Sequence, residues 1–161
     1  MIRLIDRALL DEVSGEAKAG ARLRKNRNFH QRDDYPAHRL LNAVEPDSYI
    51  APHRHLDPTK DETMVVLRGK LGLVVFDDAG VIVKTAVLNA GGECCGVNIS
   101  HGEWHTFVAL ESGTVIFEAK AGPYLPLAAA ERAPWAPAEN DADAGEYLAR
   151  LEQIFSKLAP A

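Results

Sequence analysis

The sequence predicts a mainly β protein, a small barrel or sandwich with one amphipathic helix at each end. Two observations carry this. Short runs rich in branched residues follow one another from about residue 22 onward with tight turn signals between them, and closely spaced short strands close into a sandwich or barrel. Apolar residues at helical spacing mark the two flanking stretches.

In chain order, residues 6–19 read as the first helix. Asp6 is the N-cap, Leu9, Leu10, Val13 and Ala17 form one face, and Gly20 is the stop. From residue 22 the pattern becomes extended. Strands are expected at Leu40–Val44, Tyr49–His55, Thr63–Leu67, Leu71–Phe76, Val81–Leu88, Val97–Ser100, His105–Leu110 and Val115–Ala119. Glu45-Pro46-Asp47, Arg68-Gly69-Lys70, Asp77-Asp78-Ala79-Gly80, Ala90-Gly91-Gly92 and Glu111-Ser112-Gly113 supply the turns. Residues 128–145 read as an irregular connector dominated by Ala and Pro, with acidic Glu139, Asp141 and Asp143 near its end. Residues 144–158 read as the second helix, with Tyr147, Leu148, Leu151, Ile154, Phe155 and Leu158 apolar. That face must bury itself on the chain's own barrel or on a partner. The expected organisation is a single domain over 1–161: helix 1–21, barrel core 22–126, connector and helix 127–161.

Bulk composition narrows the function classes. The chain has 161 residues, enough for one real core, with 47% hydrophobic and 25% charged residues. A net charge of -5 without a basic stripe argues against a nucleic-acid surface. No apolar run approaches the ~18 residues that read as a membrane span. Met1-Ile2-Arg3-Leu4-Ile5-Asp6 lacks the long apolar stretch of a secretory signal, so a cytoplasmic location is expected. Cys94 and Cys95 are adjacent, point opposite ways on an extended chain and lack a zinc-ribbon gap. They read as unreactive thiols in a reducing compartment.

The chemistry concentrates in His53-Arg54-His55, then Glu62, then His105. Two histidines at i and i+2 on a strand share a face. Glu62 and His105, arriving from other strands, would complete three nitrogens and one oxygen, a set for one divalent transition metal with positions left open. Such donors accept Fe, Zn, Mn, Ni, Co or Cu and do not choose among them. The competing reading of Glu62 is a solvated residue of the charged run Lys60-Asp61-Glu62.

Arg22, Arg24, Asn26, Asn28 and His30 alternate along an extended segment and share one face. That face is either a pocket wall for an anionic or polyhydroxylated substrate, with Arg24 pairing a carboxylate or phosphate, or a solvated edge strand. His30 is the candidate acid/base or metal-side partner, because an imidazole titrates near working pH. Arg39 and Asn42 are weaker substrate candidates on opposite faces of one strand. Tyr49, four residues before His53, would share the metal face of a regular strand and could donate its phenol to substrate. Phe107, two residues after His105, should line the interior, whereas Trp104 should face the other way.

These residues carry a family resemblance. His53-x-His55, a spacer, Glu62, six residues and Gly69 resemble the first cupin motif, and Gly96 through His105 resembles the second. The segment from Arg22 to about Pro126 more closely resembles the cupin-fold metalloproteins of the WbuC type. The phrases that carry it are Asn28-Phe29-His30, Arg39-Leu40-Leu41-Asn42-Ala43, Pro52-His53-Arg54-His55, Trp104-His105-Thr106 and Gly122-Pro123-Tyr124. The chain departs from the general pattern in a long spacer before Glu62, in Ser100 where proline is usual and in Ala109 where asparagine is frequent. The resemblance implies a cupin fold (a double-stranded β-helix, or jelly-roll barrel) and a homodimer. It also implies a small-molecule substrate resembling a sugar or nucleotide sugar, in bacterial surface polysaccharide metabolism.

Three functions follow as expectations. The first is a metal-dependent enzyme, an isomerase for example, in which the metal polarises a carbonyl or activates water. The others are an iron-dependent dioxygenase and a non-enzymatic module with a structural metal.

Overall fold

A computed structural model describes residues 2–157, so Leu158 lies outside the described residues. The order of elements is α1 (Arg7–Ala19), β1 (Arg24–Asn28), β2 (Ala37–Val44), β3 (Glu62–Arg68), β4 (Lys70–Phe76), β5 (Ile82–Asn89), β6 (Gly96–Ile99), β7 (Trp104–Ala109), β8 (Thr114–Ala121) and α2 (Ala144–Ser156). A single 3-10 turn, Ala129–Glu131, interrupts the connector before α2.

The strands form two antiparallel sheets, one in the order β1-β2-β8-β3-β6 and the other β5-β4-β7. Their inner faces meet over Met64, Val66, Leu71, Leu73, Leu88, Phe107 and Ile116. Period-two alternation builds this core: on β8, Ile116 faces in while Val115 and Phe117 face α1. The helix α1 begins where Asp6 accepts a hydrogen bond from the Leu9 amide. It lays Val13 and Ala17 on Leu41, Ala43 and Val115, the outer face of the larger sheet. The second helix lays Leu148, Leu151 and Phe155 on Val74, Phe76, Trp104 and Val108, the outer face of the smaller sheet. The apolar face of α2 is therefore buried on its own barrel. The resulting helix–sheet–sheet–helix stack is the cupin arrangement, mainly β with a helix at each end.

Two glycines make the layers possible. Gly69, at φ +78°, turns the chain from one sheet into the other, and a Cβ there would come within 2.4 Å of Thr114 Oγ1. Gly72 on β4 admits the Phe155 ring, which a Cβ would meet at 2.6 Å.

Arg68 at the end of β3 fastens α1 to the barrel. It donates to the Gly113 carbonyl at 2.9 Å, the Leu10 carbonyl at 2.8 Å and Ser14 Oγ at 2.6 Å. Its pair with Asp11 is largely solvated, since that side chain is 65% exposed, so the three neutral acceptors carry the weight. Arg68→Met is expected to destabilise the protein by about 1–3 kcal/mol, read as a lowered thermal midpoint with barrel circular dichroism retained.

One predicted strand is not there. Tyr49–His55 is extended but unpaired apart from an isolated bridge of His53 with His105 and Arg132. Instead of a ladder, the segment is held between β7 and the connector. His53 N–H donates to the His105 carbonyl at 3.0 Å and the His105 N–H returns the bond at 2.9 Å, while the Ala133 N–H donates to the Pro52 carbonyl at 3.1 Å. No helix among the described residues is long and apolar enough to cross a membrane.

Candidate metal centre

The bridge between His53 and His105 brings their rings to 4.6 Å between centroids, at one end of the space between the sheets. Both rings are oriented by backbone. His53 Nδ1 donates to the Ala51 carbonyl at 3.0 Å and His105 Nδ1 to the Glu103 carbonyl at 2.9 Å. These bonds fix the tautomer and leave each Nε2 as a lone pair. Glu62, the first residue of β3, is 2% exposed and comes from the facing sheet, so it is no solvated member of a charged run. Its Oε1 accepts from Lys120 Nζ at 2.7 Å and lies 2.9 Å from His55 Nε2. Its Oε2 lies 3.4 Å from His105 Nε2. Ligand atoms of His53, His55 and Glu62 all fall within 4.8 Å of one another, a group that could hold a metal ion.

The donor set fits a transition metal. Glu62 Oε2 and His105 Nε2 are buried without hydrogen-bond partners, and such atoms cost free energy unless something else satisfies them. Burial, then the neighbouring His105, push the His53 imidazole down to about 3, which keeps it in the neutral form that binds metal. Burial alone would raise the Glu62 carboxyl. The adjacent imidazoles of His105 and His55 and the charge of Lys120 outweigh it and hold the group well below the usual carboxylate range.

A cavity of about 580 Å³ opens from this cluster between the sheets, with the connector as its roof. Arg24, Asn26, Asn42 and Phe107 line it, as do Arg22, Arg132, Glu118 and Lys120. A second cavity of about 340 Å³ reaches the same histidines from another side, past His38, Lys60, Tyr124 and Leu125. His53, Lys120 and Leu127 border both.

The remaining predicted site residues are partnered within the fold or lie outside the cavities. Arg24 borders the cavity, but its guanidinium already pairs with Glu139 of the connector and donates to the Tyr49 carbonyl at 2.9 Å. Asn28 is exposed and outside both cavity walls, because β1 runs past the rim there. Arg39 is exposed, with its guanidinium 5.8 Å from the centre of the Tyr35 ring. Tyr49 faces α2. Its hydroxyl donates to the Pro137 carbonyl at 2.8 Å and its ring meets Tyr147 edge-on at 6.0 Å. Burial, then Tyr147, raise its phenol above the usual value, which disfavours a proton-donating role. The parity that put Tyr49 beside His53 held only for a regular strand. His30 lies outside both cavities, stacked on His38 at 3.9 Å, with Nδ1 3.3 Å from the Arg39 carbonyl. It is His38 that borders the smaller cavity, its imidazole lowered by burial and by His30. Trp104 packs in the outer core, donating to Asp78 Oδ1 at 3.0 Å.

Two interior residues escaped sequence reasoning. Glu118 and Lys120 alternate with Ala119 on β8 and face in beside Ile116. The signal was present: a carboxylate and an ammonium at i and i+2 stand on the inward parity of an otherwise apolar strand.

The family model described as a domain of unknown function (DUF6016) matches residues 5–88. No curated protein matches the chain. Among solved structures, a conserved SPY1581 protein of unknown function from Streptococcus pyogenes is similar at 12% identity and a TM-score of 0.51, over 78% of this chain and 91% of that one. KdgF from a Halomonas species is similar at 16% identity and a TM-score of 0.49, over 63% and 80%. A cupin-2 domain containing protein from Shewanella frigidimarina is similar at 23% identity and a TM-score of 0.46, over 61% and 80%. At these identities the likeness bears on the fold alone.

Proposed function

The chain belongs to the DUF6016 family, and on that premise we propose that it is a metal-dependent cupin enzyme acting on a small anionic molecule. One divalent transition metal would be held by His53, His55, Glu62 and His105. The observation that carries this is the pair of orphaned buried donors, Glu62 Oε2 and His105 Nε2, at the head of a cavity that also bears Arg22, Arg24 and Arg132. When bound, the metal supplies a Lewis acid to an oxygen of the ligand. The chain's own residues do the rest. The backbone bonds of His53 and His105 hold the donor atoms in place, Lys120 fixes one oxygen of Glu62, and Phe107 walls the cavity. Arg132, the rim guanidinium that Glu139 does not pair, attracts an anion, and Asn26 offers it an amide.

The resemblance to WbuC-type proteins supports a sugar or nucleotide-sugar derivative of surface polysaccharide metabolism as the substrate. The free thiols Cys94 and Cys95 support a cytoplasmic location. The exposed Val81 and Val83 beside and on edge strand β5 support a homodimer.

Water access to the metal separates this reading from a module with a structural metal. Protein loaded with Mn(II) is expected to speed the proton relaxation of bulk water, and citrate, a polyanion, should reduce that effect. No relaxation enhancement would mean a closed coordination sphere and would favour the structural module.

A further inference from the structure

The floor of the cavity carries polar atoms that neither the candidate metal cluster nor the arginine rim uses. The register of β2 on β8 sets Leu40 opposite Glu118 and Asn42 opposite Ile116, so Asn42 and Glu118 are diagonal neighbours on the inner face. Asn42 Nδ2 donates to Glu118 Oε2. This bond assigns the amide, because a flipped Asn42 would set two acceptors face to face. The remaining acceptors, Asn42 Oδ1 and Glu118 Oε1, are buried and receive no hydrogen bond. Glu118 is only 4% exposed. Its Oε1 lies 2.8 Å from Lys120 Nζ, an ion pair without hydrogen-bond alignment.

Acceptors in that state call for donors. Charge narrows the choice. A metal on Glu62 takes up that carboxylate's charge, and Lys120 is then balanced by Glu118. The floor sums to zero, so an ammonium group on the ligand finds no net charge to meet. A hydroxyl group matches the floor, because it can donate to Asn42 Oδ1 or Glu118 Oε1 and accept from Lys120 Nζ.

We propose that Asn42, Glu118 and Lys120 form a subsite that reads adjacent hydroxyl groups, so that the ligand is a polyhydroxylated acid with its acidic group toward the arginines. The subsite deepens the proposed function and rests on it, since it takes the cavity beside the metal as the ligand site. Asn42 and Glu118 select the ligand through its hydroxyls. Lys120 also positions Glu62.

The test compares two ring-sized acids, D-glucuronate and cyclohexanecarboxylate, by calorimetric titration of the metal-loaded protein. The parent is expected to bind D-glucuronate about tenfold or more tighter than the acid without hydroxyls. Glu118→Gln and Asn42→Leu should each abolish that preference while metal content, barrel circular dichroism and affinity for cyclohexanecarboxylate stay at parental values. Two variants guard against one that merely misfolds. Equal affinity of the metal-loaded parent for both acids, or an unchanged preference in the folded variants, overturns the subsite alone. A parent that takes up no metal, or binds neither acid, overturns the underlying reading of the cavity instead.

Discussion

The His53→Ala/His55→Ala protein is expected to carry no bound transition metal, whereas the parent, purified without added metal, should carry about one equivalent. The expectation follows from how the donors are held. His53 is fixed by its Nδ1 bond to Ala51 and by the bridge to His105, so its Nε2 lone pair is aimed before any ion arrives. His55 is tied to Glu62 Oε1 at 2.9 Å. Removing both leaves Glu62 with one nitrogen partner, His105, and Lys120 Nζ at 2.7 Å then competes as its counter-ion. Tight sites in small domains are worth on the order of 10 kcal/mol, so losing half the donors removes the ion by many orders of magnitude in affinity. Elemental analysis of both proteins reads the result. Metal retained by the variant would place the ion elsewhere. No metal in the parent, even after refilling with each candidate ion, would leave a metal-free binding barrel as the better reading. Iron in the parent would direct the next assay to dioxygen chemistry, and zinc, manganese or nickel to isomerase or hydrolytic chemistry.

What could be read from the sequence depended on whether backbone regularity was needed to place a side chain. The barrel was legible because inward parity on each strand repeats through Met64, Leu71, Leu73, Phe107 and Ile116. His53, His55 and Glu62 come together within one group, with His105 beside them, although the segment bearing the first two is not a strand. Their convergence comes instead from a two-bond bridge to β7. Where strand parity was carried along a segment that is not a strand, it failed. Tyr49 was carried to the metal face by counting back from His53, yet the irregular backbone turns it toward Tyr147 and Pro137. The alternating face of residues 22–30 survives at Arg22, Arg24 and Asn26 and runs out at Asn28, past the rim. Its arginines are partnered by Glu139, and no local pattern announces a contact more than a hundred residues away. Glu118 and Lys120 were overlooked for a different reason. Charged residues are normally assigned to solvent, and only their shared parity with Ile116 marks them as interior.

The second large effect concerns acid. The metal-free protein is expected to lose stability as pH falls from about 6.5 toward 3, a window that opens above the carboxylate range. His53 sets it. Its folded pKa is held down to about 3, first by burial and then by His105, whereas an unfolded histidine titrates near 6.5. Below that value the unfolded chain takes up a proton that the folded protein refuses, so the contribution is complete above it and declines as pH drops. The slope for one such group is about 1.4 kcal/mol per pH unit. The His53 ring borders the cavity, so a total of roughly 2–4 kcal/mol is expected by the lower end. Glu62, held below the ordinary carboxylate value, acts in the same direction but later, once unfolded carboxylates begin to protonate near 4.3. Urea midpoints measured between pH 7 and 5 separate the lowered histidines, His53 and His38, from the carboxylates, since both carboxylate states are ionised over most of that range. The parent's midpoint should fall steadily across it, that of His53→Gln should fall less, and the difference between the two profiles reports His53. A flat parental profile would mean that the imidazole is not kept neutral by its surroundings. The binding-competent state of His53 would then have to be created by the metal, and the cluster would lose its claim to be preorganised.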